Sequence, residues 1–596
     1  MKYKFSLDKG HFITGLTMVK KNLNFQNLIK YEYFPAELPK CFNTRQMAEN
    51  AEKILQLLKN SGQNANWSSP YLYPGYKNIY SRRQFAIPNF FHYALSAKCI
   101  SDHSKEILAV TSKDDSSLTA PLDKAPLDGF PYYKKTNKIK DTKFEIEKLY
   151  LNNRYCIRLD ITAFFSSIYT HAIAWAIHGK NKSKDSKHDK ALLGNNLDKV
   201  VRNMNSAETN GILTGNAISR IVSEIILSAV DETINKRLSE LKINADFLRY
   251  VDDYYIFTKD YTSIETIIEI FRRKLDDYHL SLNESKVKIE ESPFIFDNEW
   301  LIEIENVSLN SDLLLNKAII LYKKYKNIKI FKYALKKMRY CKKENLEVLG
   351  SKLLNLWSKF PSLSEQILII LAQIDVKDSY LKSTIYSLID DCIRLNLQEE
   401  LVWVVFAIKE FHVKISSHYQ CKILESKNDL AIIIILDILE SNQLKRTKQT
   451  TNELNGLKKY LTTLNDEKKV NNIENNEGDE LVNDNNQKKE KKNNISNRAL
   501  WQKHWLLIYE CVSYNWLNLK DKINCLITKE NERFFFELNE RNLHFYDSEY
   551  KLLSEITKKE TKNESSQENN DEQKKDDVDT DDLKNKGDFF FYFFDY

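Results

Sequence analysis

The sequence lacks long uncharged apolar runs, paired cysteines and a strong excess of charge of one sign. Its most apolar run, at 430–439, contains Asp437 and is far shorter than the roughly 20 residues that a membrane-spanning helix needs. The eight cysteines are scattered singly, without the spacing typical of zinc sites or disulfide frameworks. The net charge of +6 gives no whole-molecule argument for nucleic-acid binding. These absences predict a cytoplasmic protein with free thiols and no membrane contact.

Glycine and proline are also scarce, with 13 and 10 residues in a chain of 596. A chain of this length is long enough for two or three domains. Its hydrophobic fraction of 42% and aromatic fraction of 12% are sufficient for substantial cores. We therefore expect a largely globular protein.

Two adjacent carboxylates, Asp252 and Asp253, interrupt an aromatic and β-branched run at 247–257, FLRYVDDYYIF. The composition on both sides predicts a β-hairpin with the acidic pair at its turn. Neighbouring aspartates repel each other unless a cation lies between them. The pair therefore indicates a divalent metal site, although Asp-Asp turns are also ordinary surface features.

A second strand-like run, YCIRLD at 155–160, ends in Asp160 and precedes an amphipathic segment. Phosphoryl-transfer sites use oxygen ligands from separate strands to hold two Mg²⁺ ions about 3.5–4 Å apart. One ion activates the attacking oxygen, and the other stabilises the leaving pyrophosphate. We predict that Asp160, Asp252 and Asp253 supply these ligands.

Four motifs follow one another in a fixed order: Asp160 with Phe165 five residues later, TGNAIS at 214–219, YVDD at 250–253 and LNESK at 282–286. Together they resemble the palm motifs of a reverse transcriptase. Three further runs are RRQFAIPN at 82–89, YTHAIAW at 169–175 and NGILTGN at 210–216. They resemble more narrowly the abortive-infection and defence-associated reverse transcriptases of bacteria, in particular the AbiK type. The motif match covers about residues 76–305.

The resemblance implies a role for each motif. It implies metal ligation by Asp160, Asp252 and Asp253, and by Ile161, the residue after the first of them. The nucleotide contacts that it implies fall on six residues: Arg82, Arg83, Phe165, Gly215, Asn216 and Lys286. Guanidinium groups suit a triphosphate because their donors meet phosphate oxygens two at a time. A solvated arginine pair at the start of a strand is the alternative interpretation.

Three of these positions have a more specific expected action. Phe165 stands where such enzymes place a ring under the sugar, which excludes a 2′-hydroxyl and selects deoxynucleotides; a core aromatic is the alternative. Gly215 permits the backbone to approach a nucleotide or template base closely. Lys286 can neutralise the departing pyrophosphate or donate a proton to it, and a surface lysine is the alternative.

The loop around Gly215 departs from the common pattern. In most reverse transcriptases a glutamine and a proline flank this glycine, whereas Thr214 and Ala217 occupy these places here. The AbiK type shares the departure, and its members add nucleotides without a nucleic-acid template. The resemblance therefore implies untemplated synthesis.

Residues ahead of the predicted fingers contain one expected helix, at 44–60, and two candidate priming residues. Tyr31 and Tyr33 lie in the run KYEYFP at 30–35, and packing aromatics are the alternative interpretation. A polar insertion at 101–143 carries YYKK at 132–135, whose aromatics and lysines suit either base stacking or a solvated loop.

Successive amphipathic helices are predicted after the palm, at 313–324, 330–343, 347–359, 363–374, 380–396, 398–411 and 429–441. Their cadence suits stacked hairpins of the HEAT kind, which AbiK-type proteins also carry. No thumb domain is recognisable, so we expect these helices to take its place and to mediate oligomerisation.

The expected fold class is α+β, with the fingers and palm of a right-hand polymerase followed by an α-helical HEAT-like repeat domain. The Asn-, Lys-, Glu- and Asp-rich insertion cannot bury enough apolar surface to order itself. The predicted segments are an N-terminal extension at 1–75, fingers and palm at 76–305, the repeat domain at 306–445, a disordered insertion at 446–497, C-terminal helices at 498–558 and a charged tail with an aromatic end at 559–596.

Two C-terminal features carry alternative interpretations. Arg498 and His504 have the spacing of the RNases of the HEPN kind that some relatives carry, but a histidine on an apolar helix is usually a satisfied core or capping residue. The aromatic end at 588–596 is expected to dock on its own chain or on a neighbouring subunit, because exposed aromatic runs aggregate.

The expected function is a DNA polymerase of the reverse-transcriptase type in bacterial antiphage defence. A primer hydroxyl, or a tyrosine of the protein itself, attacks the α-phosphate of a dNTP with the help of two Mg²⁺ ions. The expected partners are dNTPs, the DNA product, further copies of the chain, and either a non-coding RNA or a second defence reverse transcriptase. The alternatives are copying of an associated non-coding RNA, and a helical-repeat scaffold with a relic palm. Three intact and mutually repelling carboxylates argue against the relic.

Overall fold

The computed structural model describes most of the chain and leaves out several segments. The described residues are 23–60, 67–121, 147–294, 298–305, 310–463, 499–518 and 533–553, apart from single positions at 79, 114, 188, 190, 342, 344 and 375. The predictions for YYKK at 132–135, for Arg498 and for the aromatic end at 588–596 lie outside these residues. Within the described ranges no helix is long and apolar enough to cross a membrane.

The N-terminal part contains three short helices, α1 (Phe25–Lys30), α2 (Arg45–Glu49) and α3 (Ala51–Asn60). The single helix predicted at 44–60 is therefore interrupted at Asn50. The backbone of Asn50 is not helical, and its side chain donates to the carbonyl of Gln46 at 3.0 Å. Asparagine competes for backbone hydrogen bonds in this way, which explains the break.

A hairpin of β1 (Tyr71–Tyr76) and β2 (Arg82–Ile87) precedes α4 (Phe90–Asp102) and α5 (Ser104–Thr111). The strand β2 begins at the arginine pair and includes the apolar residues before Pro88. It ends at Pro88, and the side chain of Asn89 then caps α4 by accepting from the backbone N–H of Phe91 at 3.0 Å. The change from strand to helix is thus fixed by two adjacent residues.

The central sheet has four antiparallel strands in the order β4 (Ala245–Tyr250), β5 (Asp253–Thr258), β3 (Tyr155–Asp160) and β6 (Lys288–Glu291). Its helices are α6 (Phe164–Ser167), α7 (Ala172–His178), α8 (Lys180–Asp185), α9 (Leu193–Met204), α10 (Ala217–Glu240) and α11 (Ile264–Asp276). Phe247 and Tyr254 pack edge-on against Phe271 of α11, with ring centroids 5.3 and 5.2 Å apart. These rings fix the hairpin on its supporting helices.

The C-terminal half of the described chain is helical. Its helices are α12 (Glu299–Glu305), α13 (Ser311–Tyr325), α14 (Lys329–Met338), α15 (Leu346–Lys359), α16 (Ser364–Leu371), α17 (Asp378–Arg394), α18 (Gln398–Glu410), α19 (Ser417–Leu424), α20 (Asp429–Glu440), α21 (Lys448–Thr463), α22 (Trp505–Ser513) and α23 (Arg533–Glu540). All seven helices predicted between 313 and 441 are confirmed within a few residues, and the fold is α+β as expected.

Three helices of this region, α12, α19 and α21, were not predicted. The short helix α19 lacks a clear apolar period, and α21 occupies 448–463, which we expected to begin the disordered insertion. In α21 the residues Leu454 and Leu461 are buried, and Leu457 packs between them on the same face. This stripe at helical spacing holds α21 on the fold in spite of its polar composition.

The two ends of the described chain meet in one core. The backbone N–H of Asn43 donates to the carbonyl of Phe545 at 2.9 Å, and that of Asp547 donates to the carbonyl of Cys41 at 2.7 Å. Phe42 and Tyr546 lie side by side between these bonds. The C-terminal segment therefore contributes to the core beneath the fingers.

Candidate active site

The register of the central sheet brings the three predicted carboxylates to one end. Asp160, the last residue of β3, pairs directly with Asp253, the first residue of β5. Asp253 also pairs with Tyr250 at the end of β4, so Val251 and Asp252 form the turn of the hairpin. The predicted hairpin with its acidic turn is therefore confirmed. Its turn lies beside a strand that ends more than ninety residues earlier in the sequence.

The electrostatics of this cluster are dominated by repulsion. Burial, followed by the charges of Asp252 and Asp160, raises the pKa of Asp253 to about 8. Two donors oppose the repulsion at Asp160. Lys286 Nζ lies 3.1 Å from Asp160 Oδ1, and Asn283 Nδ2 donates to Asp160 Oδ2 at 3.0 Å. The LNESK motif thus joins the acidic cluster, as its position in the sequence implied.

The donor set fits a hard divalent cation. Asp160 pairs with Asp253, Asp252 acts electrostatically on the same carboxylate, and carboxylate oxygens are the ligands that Mg²⁺ prefers. The raised pKa of Asp253 shows that the cluster resists full ionisation without a counter-charge. Among the described residues no three His, Cys, Asp or Glu side chains are arranged closely enough to define a metal centre. Ligation by Asp160, Asp252, Asp253 and the neighbouring Ile161 therefore stays a prediction.

A buried arginine, which the sequence analysis missed, supports the turn. Arg249 is fully buried and donates to Glu224 at 2.8 and 3.1 Å, to Asp231 at 2.7 Å and to the carbonyl of Val251 at 3.0 Å. Tyr254 donates its hydroxyl to the same Asp231 at 2.8 Å. The sequence carried a signal, since the two acids lie two helical turns apart in an apolar helix and the arginine lies in an apolar strand.

The pKa values of the two carboxyl groups in this network are shifted in opposite directions. Burial raises the pKa of Asp231 to about 6, although Arg249 opposes the shift. Burial acts in the same direction on Glu224, but there the two bonds from Arg249 prevail and the pKa is lowered. Glu224 receives both terminal nitrogens of the guanidinium and Asp231 receives Nε, so both carboxylates are counter-ions of Arg249.

The loop before α10 is held from two sides. Gly215 has φ of 103°, and a Cβ atom there would lie 2.7 Å from Cγ of Pro35 and 3.0 Å from Cδ1 of Phe85. The close approach that this glycine permits is thus to Pro35 of the N-terminal segment. Asn216 is buried and caps α10, because its side chain accepts from Ser219 N and donates to Leu213 O, both at 3.0 Å.

This capping corrects the expected role of Asn216. Both polar groups of its side chain are engaged in starting the helix, so we no longer expect it to contact a nucleotide. The nucleotide contact of Gly215 stays a prediction, and its neighbours in this structure are Pro35 and Phe85.

The N-terminal segment at 32–35 lies across the same loop. The backbone N–H of Ala217 donates to the carbonyl of Glu32 at 2.9 Å, and Glu32 Oε2 lies 3.7 Å from Arg220 Nε. Burial raises the pKa of Tyr250 to about 12, and the charges of Arg220, Asp253 and Glu32 act on the same hydroxyl. Glu32 therefore belongs to the surroundings of the acidic turn.

The two candidate priming tyrosines differ in access. Tyr33 is fully buried against Phe34, Phe90 and Tyr93, and its hydroxyl donates to the carbonyl of Pro88. The priming role proposed for Tyr33 is therefore wrong for this conformation, and the packing alternative holds. Tyr31 is only half-buried and precedes Glu32 directly, so it stays a candidate.

The two fingers arginines also differ. Arg82 forms a two-point ion pair with Glu400 of α18, with Nη1 2.7 Å from Oε1. Its guanidinium is thus directed at the helical region in this conformation, in contrast to the expected contact with a nucleotide. Arg83 is half-buried at the next position of β2, where the alternation of the strand turns it to the other face. It stays a predicted nucleotide contact.

Two other predicted residues lie where the palm meets the loop. Phe165 is half-buried in α6, and its carbonyl accepts from Ile212 N at 2.8 Å. Ile161 is buried, and its backbone forms a bridge with Leu282. Both are fixed close to Asp160 in sequence and structure, and their roles stay predictions.

The proposed RNase histidine is a satisfied core residue. His504 is buried at the start of α22, with Nδ1 2.9 Å from Asp429 and Nε2 3.1 Å from the hydroxyl of Tyr460. Both ring nitrogens of His504 therefore have partners within the chain, and the RNase role stays a prediction because Arg498 lies outside the described residues.

The part of the chain that carries the acidic cluster is similar to a known protein family. Residues 98–353 match the reverse transcriptase (RNA-dependent DNA polymerase) family. Among solved structures, truncated apo telomerase from Candida tropicalis is 16% identical, with a TM-score of 0.28 over 43% of this chain and 57% of that one. Full apo telomerase from C. tropicalis is 13% identical, with a TM-score of 0.30 over 65% of this chain and 69% of that one.

Telomerase from Candida albicans in complex with a fragment of telomeric RNA is 11% identical, with a TM-score of 0.28 over 62% of this chain and 67% of that one. The chain thus spans little more than half the length of the truncated telomerase. No curated protein matches the sequence significantly.

Proposed function

We propose that this protein is a DNA polymerase that adds dNTPs by a two-metal mechanism, and the match of residues 98–353 to the reverse transcriptase family supports the proposal. The observation that carries the proposal is the direct pairing of Asp160 with Asp253 beside the Asp252 turn. Lys286 adds a cation 3.1 Å from the same carboxylate cluster.

In this mechanism the chain's residues position and neutralise the reacting groups. Asp160, Asp252 and Asp253 would hold two Mg²⁺ ions, and these ions would supply activation of the attacking hydroxyl and neutralisation of charge on the leaving group. Lys286 neutralises the departing pyrophosphate, and Arg83 binds the triphosphate. Phe165 supports the sugar and excludes a 2′-hydroxyl.

We further propose that synthesis is untemplated. The contact of Pro35 with Gly215 and the bond from Ala217 to Glu32 support this, because a protein segment covers a loop that a template base would approach. Tyr31, next to this segment, is the candidate primer. Bacterial antiphage defence, a HEAT-like repeat domain, oligomerisation and a partner RNA or second reverse transcriptase are proposed from the resemblance of the motifs alone.

The test of the polymerase is a pair of variants. Asp252→Ala combined with Asp253→Ala is expected to abolish dNTP incorporation and phage protection, with an unchanged circular dichroism spectrum. Asp246→Ala changes an exposed aspartate of β4 and serves as the control. Unchanged polymerisation in the double variant contradicts the proposal.

Template use and priming need separate measurements. Incorporation by purified protein is compared before and after RNase treatment, and loss of product indicates a templating RNA instead. Mass spectrometry of the polymerising protein then seeks a covalently attached deoxynucleotide on Tyr31. Tyr31→Phe is expected to remove it, whereas Tyr80→Phe, at a side chain that is 96% exposed, is expected to leave it in place.

A further inference from the structure

A chain of hydrogen bonds outside the polymerase site joins Asp429, His504 and Tyr460. Nδ1 of His504 lies 2.9 and 3.0 Å from the two carboxylate oxygens of Asp429, and Nε2 of the same ring lies 3.1 Å from the hydroxyl of Tyr460. Asp429 is 1% exposed and His504 is 9% exposed, whereas Tyr460 is 47% exposed. The hydrogen-bonded groups therefore run from the buried carboxylate of Asp429 through the imidazole of His504 to the hydroxyl of Tyr460 at the surface.

The bonding pattern assigns the protons. The carboxylate of Asp429 accepts from Nδ1 of His504, and in the neutral tautomer that fits this contact Nε2 presents a lone pair. The hydroxyl of Tyr460 is then the donor to Nε2. Burial, with the charge of Asp429, raises the pKa of Tyr460, so this hydroxyl keeps its proton at neutral pH. To act as a nucleophile it needs an adjacent base, and His504 supplies one.

Three helices hold the chain of bonds in place. Asp429 begins α20, where its backbone N–H donates to the hydroxyl of Tyr71 at 3.1 Å. His504 lies at the start of α22, and Tyr460 lies near the end of α21 with its ring 5.7 Å from the imidazole. The carboxylate and imidazole are therefore fixed before any substrate binds, which is the arrangement of a hydroxyl nucleophile with an oriented base.

Two exposed lysines are sequence neighbours of this chain of bonds. Lys459 and Lys503 are exposed neighbours of Tyr460 and His504 in the sequence, and Lys503 acts electrostatically on Asp429. The carboxylate of Asp429 is enclosed and already paired with the imidazole. An anionic electrophile is thus favoured over a cationic or neutral one.

We propose that Tyr460 is the acceptor of covalent transfer from a nucleoside triphosphate, with His504 as its general base and Asp429 as the residue that orients the base. The Tyr460 oxygen forms a bond to a phosphorus atom, and the bridging P–O bond breaks. The leaving pyrophosphate or nucleoside diphosphate takes the bonding electron pair, and the phenolic proton passes to Nε2 of His504. Atoms and charge balance without an oxidant or reductant.

The experiment uses the full-length protein incubated with Mg²⁺ and with ATP labelled at either the α- or the γ-phosphate, followed by peptide mapping. Retention of the α-label indicates nucleotidyl transfer, and retention of the γ-label alone indicates phosphoryl transfer. Either label on the peptide that contains Tyr460 supports the proposal. Absence of both labels from this peptide overturns it.

Variants separate the acceptor from the base. Tyr460→Phe is expected to remove the label, and Tyr340→Phe, at a tyrosine that is 67% exposed, is expected to keep it. His504→Ala is expected to slow labelling by about 100-fold or more, with partial recovery when imidazole is added. Asp429→Asn is expected to lower the maximal rate without changing the ATP concentration that gives half of it. Full-rate labelling in the His504 variant contradicts its role as base.

The polymerase variant Asp252→Ala with Asp253→Ala distinguishes this site from the palm. Labelling of Tyr460 is expected to persist in that variant, because Asp429 and His504 are intact. Loss of labelling there assigns the transfer to the polymerase site and overturns the role of His504, whatever the outcome for dNTP incorporation.

Discussion

Arg249 donates a hydrogen bond from its buried guanidinium to the carbonyl oxygen of Val251 at 3.0 Å. Val251 has φ of 55°, which is the left-handed region and is costly for a β-branched side chain. The turn that presents Asp252 is therefore strained, and a charged network beneath it maintains the strain. Such strain at a functional turn is retained when the surrounding structure fixes it.

Val251→Gly is expected to separate stability from activity. Glycine adopts positive φ without steric cost, so we expect the free energy of unfolding to rise by up to about 1 kcal/mol. We also expect slower dNTP incorporation, because the turn that holds Asp252 becomes less constrained. Urea unfolding and steady-state incorporation measure the two effects. Equal activity at increased stability indicates that the strain has no role in positioning the carboxylate.

Arg249→Met is expected to be severely destabilising. It leaves the buried carboxylates of Glu224 and Asp231 without their counter-ion, and breaking a buried pair in this way costs about 3–5 kcal/mol. The triple variant that adds Glu224→Gln and Asp231→Asn is expected to recover part of this loss, because the uncompensated charges are removed. Unfolding free energies of the variants test this. Additive losses would contradict a coupled network.

The palm was predictable because its signals are local or lie in one ordered motif set. Alternating aromatic residues around Asp252 define a hairpin. A single register between the strand that ends in Asp160 and this hairpin places Asp160 opposite Asp253. The alternation of β-strands fixes that register once one face is buried. The pairing of Asp160 with Asp253 was therefore predictable from the sequence pattern and the ordered motifs.

The roles of Tyr33, Asn216 and Arg82 depend on partners that the local sequence does not specify. The position of the Tyr33 side chain is set by its hydrogen bond to the carbonyl of Pro88. The guanidinium of Arg82 is held by Glu400, which is 318 residues away in the sequence. The same residue types suit an exposed site or a buried contact, and only the three-dimensional partner distinguishes them. For α21 the composition was misleading, since three leucines on one face outweighed its polar residues.

Glu399 is expected to make stability depend on pH. Burial, followed by the charges of Glu400 and Glu37, raises the pKa of Glu399 to about 8, above its ordinary value of 4.5. Between these values the folded state holds a proton that the unfolded state has released, so stability falls as pH rises from about 4.5 to about 8. Glu399→Gln keeps an oxygen for the backbone N–H of Tyr76 and cannot ionise.

The free energy of unfolding of Glu399→Gln, relative to the unaltered protein, is therefore expected to increase steadily across this pH range. Unfolding in urea at pH 5 and at pH 8.5 measures the difference. Glu52→Gln, at an exposed position of α3, is the control and is expected to show no such trend. If the difference in free energy of unfolding between Glu399→Gln and the unaltered protein is the same at both pH values, the raised pKa of Glu399 is refuted.

Lys286→Ala is expected to reduce the maximal rate of dNTP incorporation by about 100-fold. The variant removes the cation 3.1 Å from Asp160 and leaves the carboxylates in place. Lys288→Ala changes an exposed lysine of β6 two residues later and is the matched control. If both variants slow the reaction equally, the effect belongs to general surface charge and Lys286 has no specific role.

Gly215→Ala is expected to disturb the contact between the N-terminal segment and the loop before α10. The new Cβ atom would lie 2.7 Å from Cγ of Pro35, at a φ of 103° that alanine rarely adopts. We therefore expect a loss of stability of about 1–3 kcal/mol and slower incorporation. Gly456→Ala in α21 is the opposite case, because nothing lies within 4 Å of the added atom.

The Gly456→Ala variant is expected to stabilise helix α21 by about 0.5–1 kcal/mol. Pro35→Ala combined with Gly215→Ala removes the clashing Cγ atom and keeps the unfavourable φ. If the steric contact dominates, the double variant recovers most of the lost stability, and if the backbone conformation dominates, it recovers little. Thermal unfolding of the four proteins distinguishes the two causes. Wild-type stability and activity in Gly215→Ala would show that the N-terminal segment does not pack on this loop in solution.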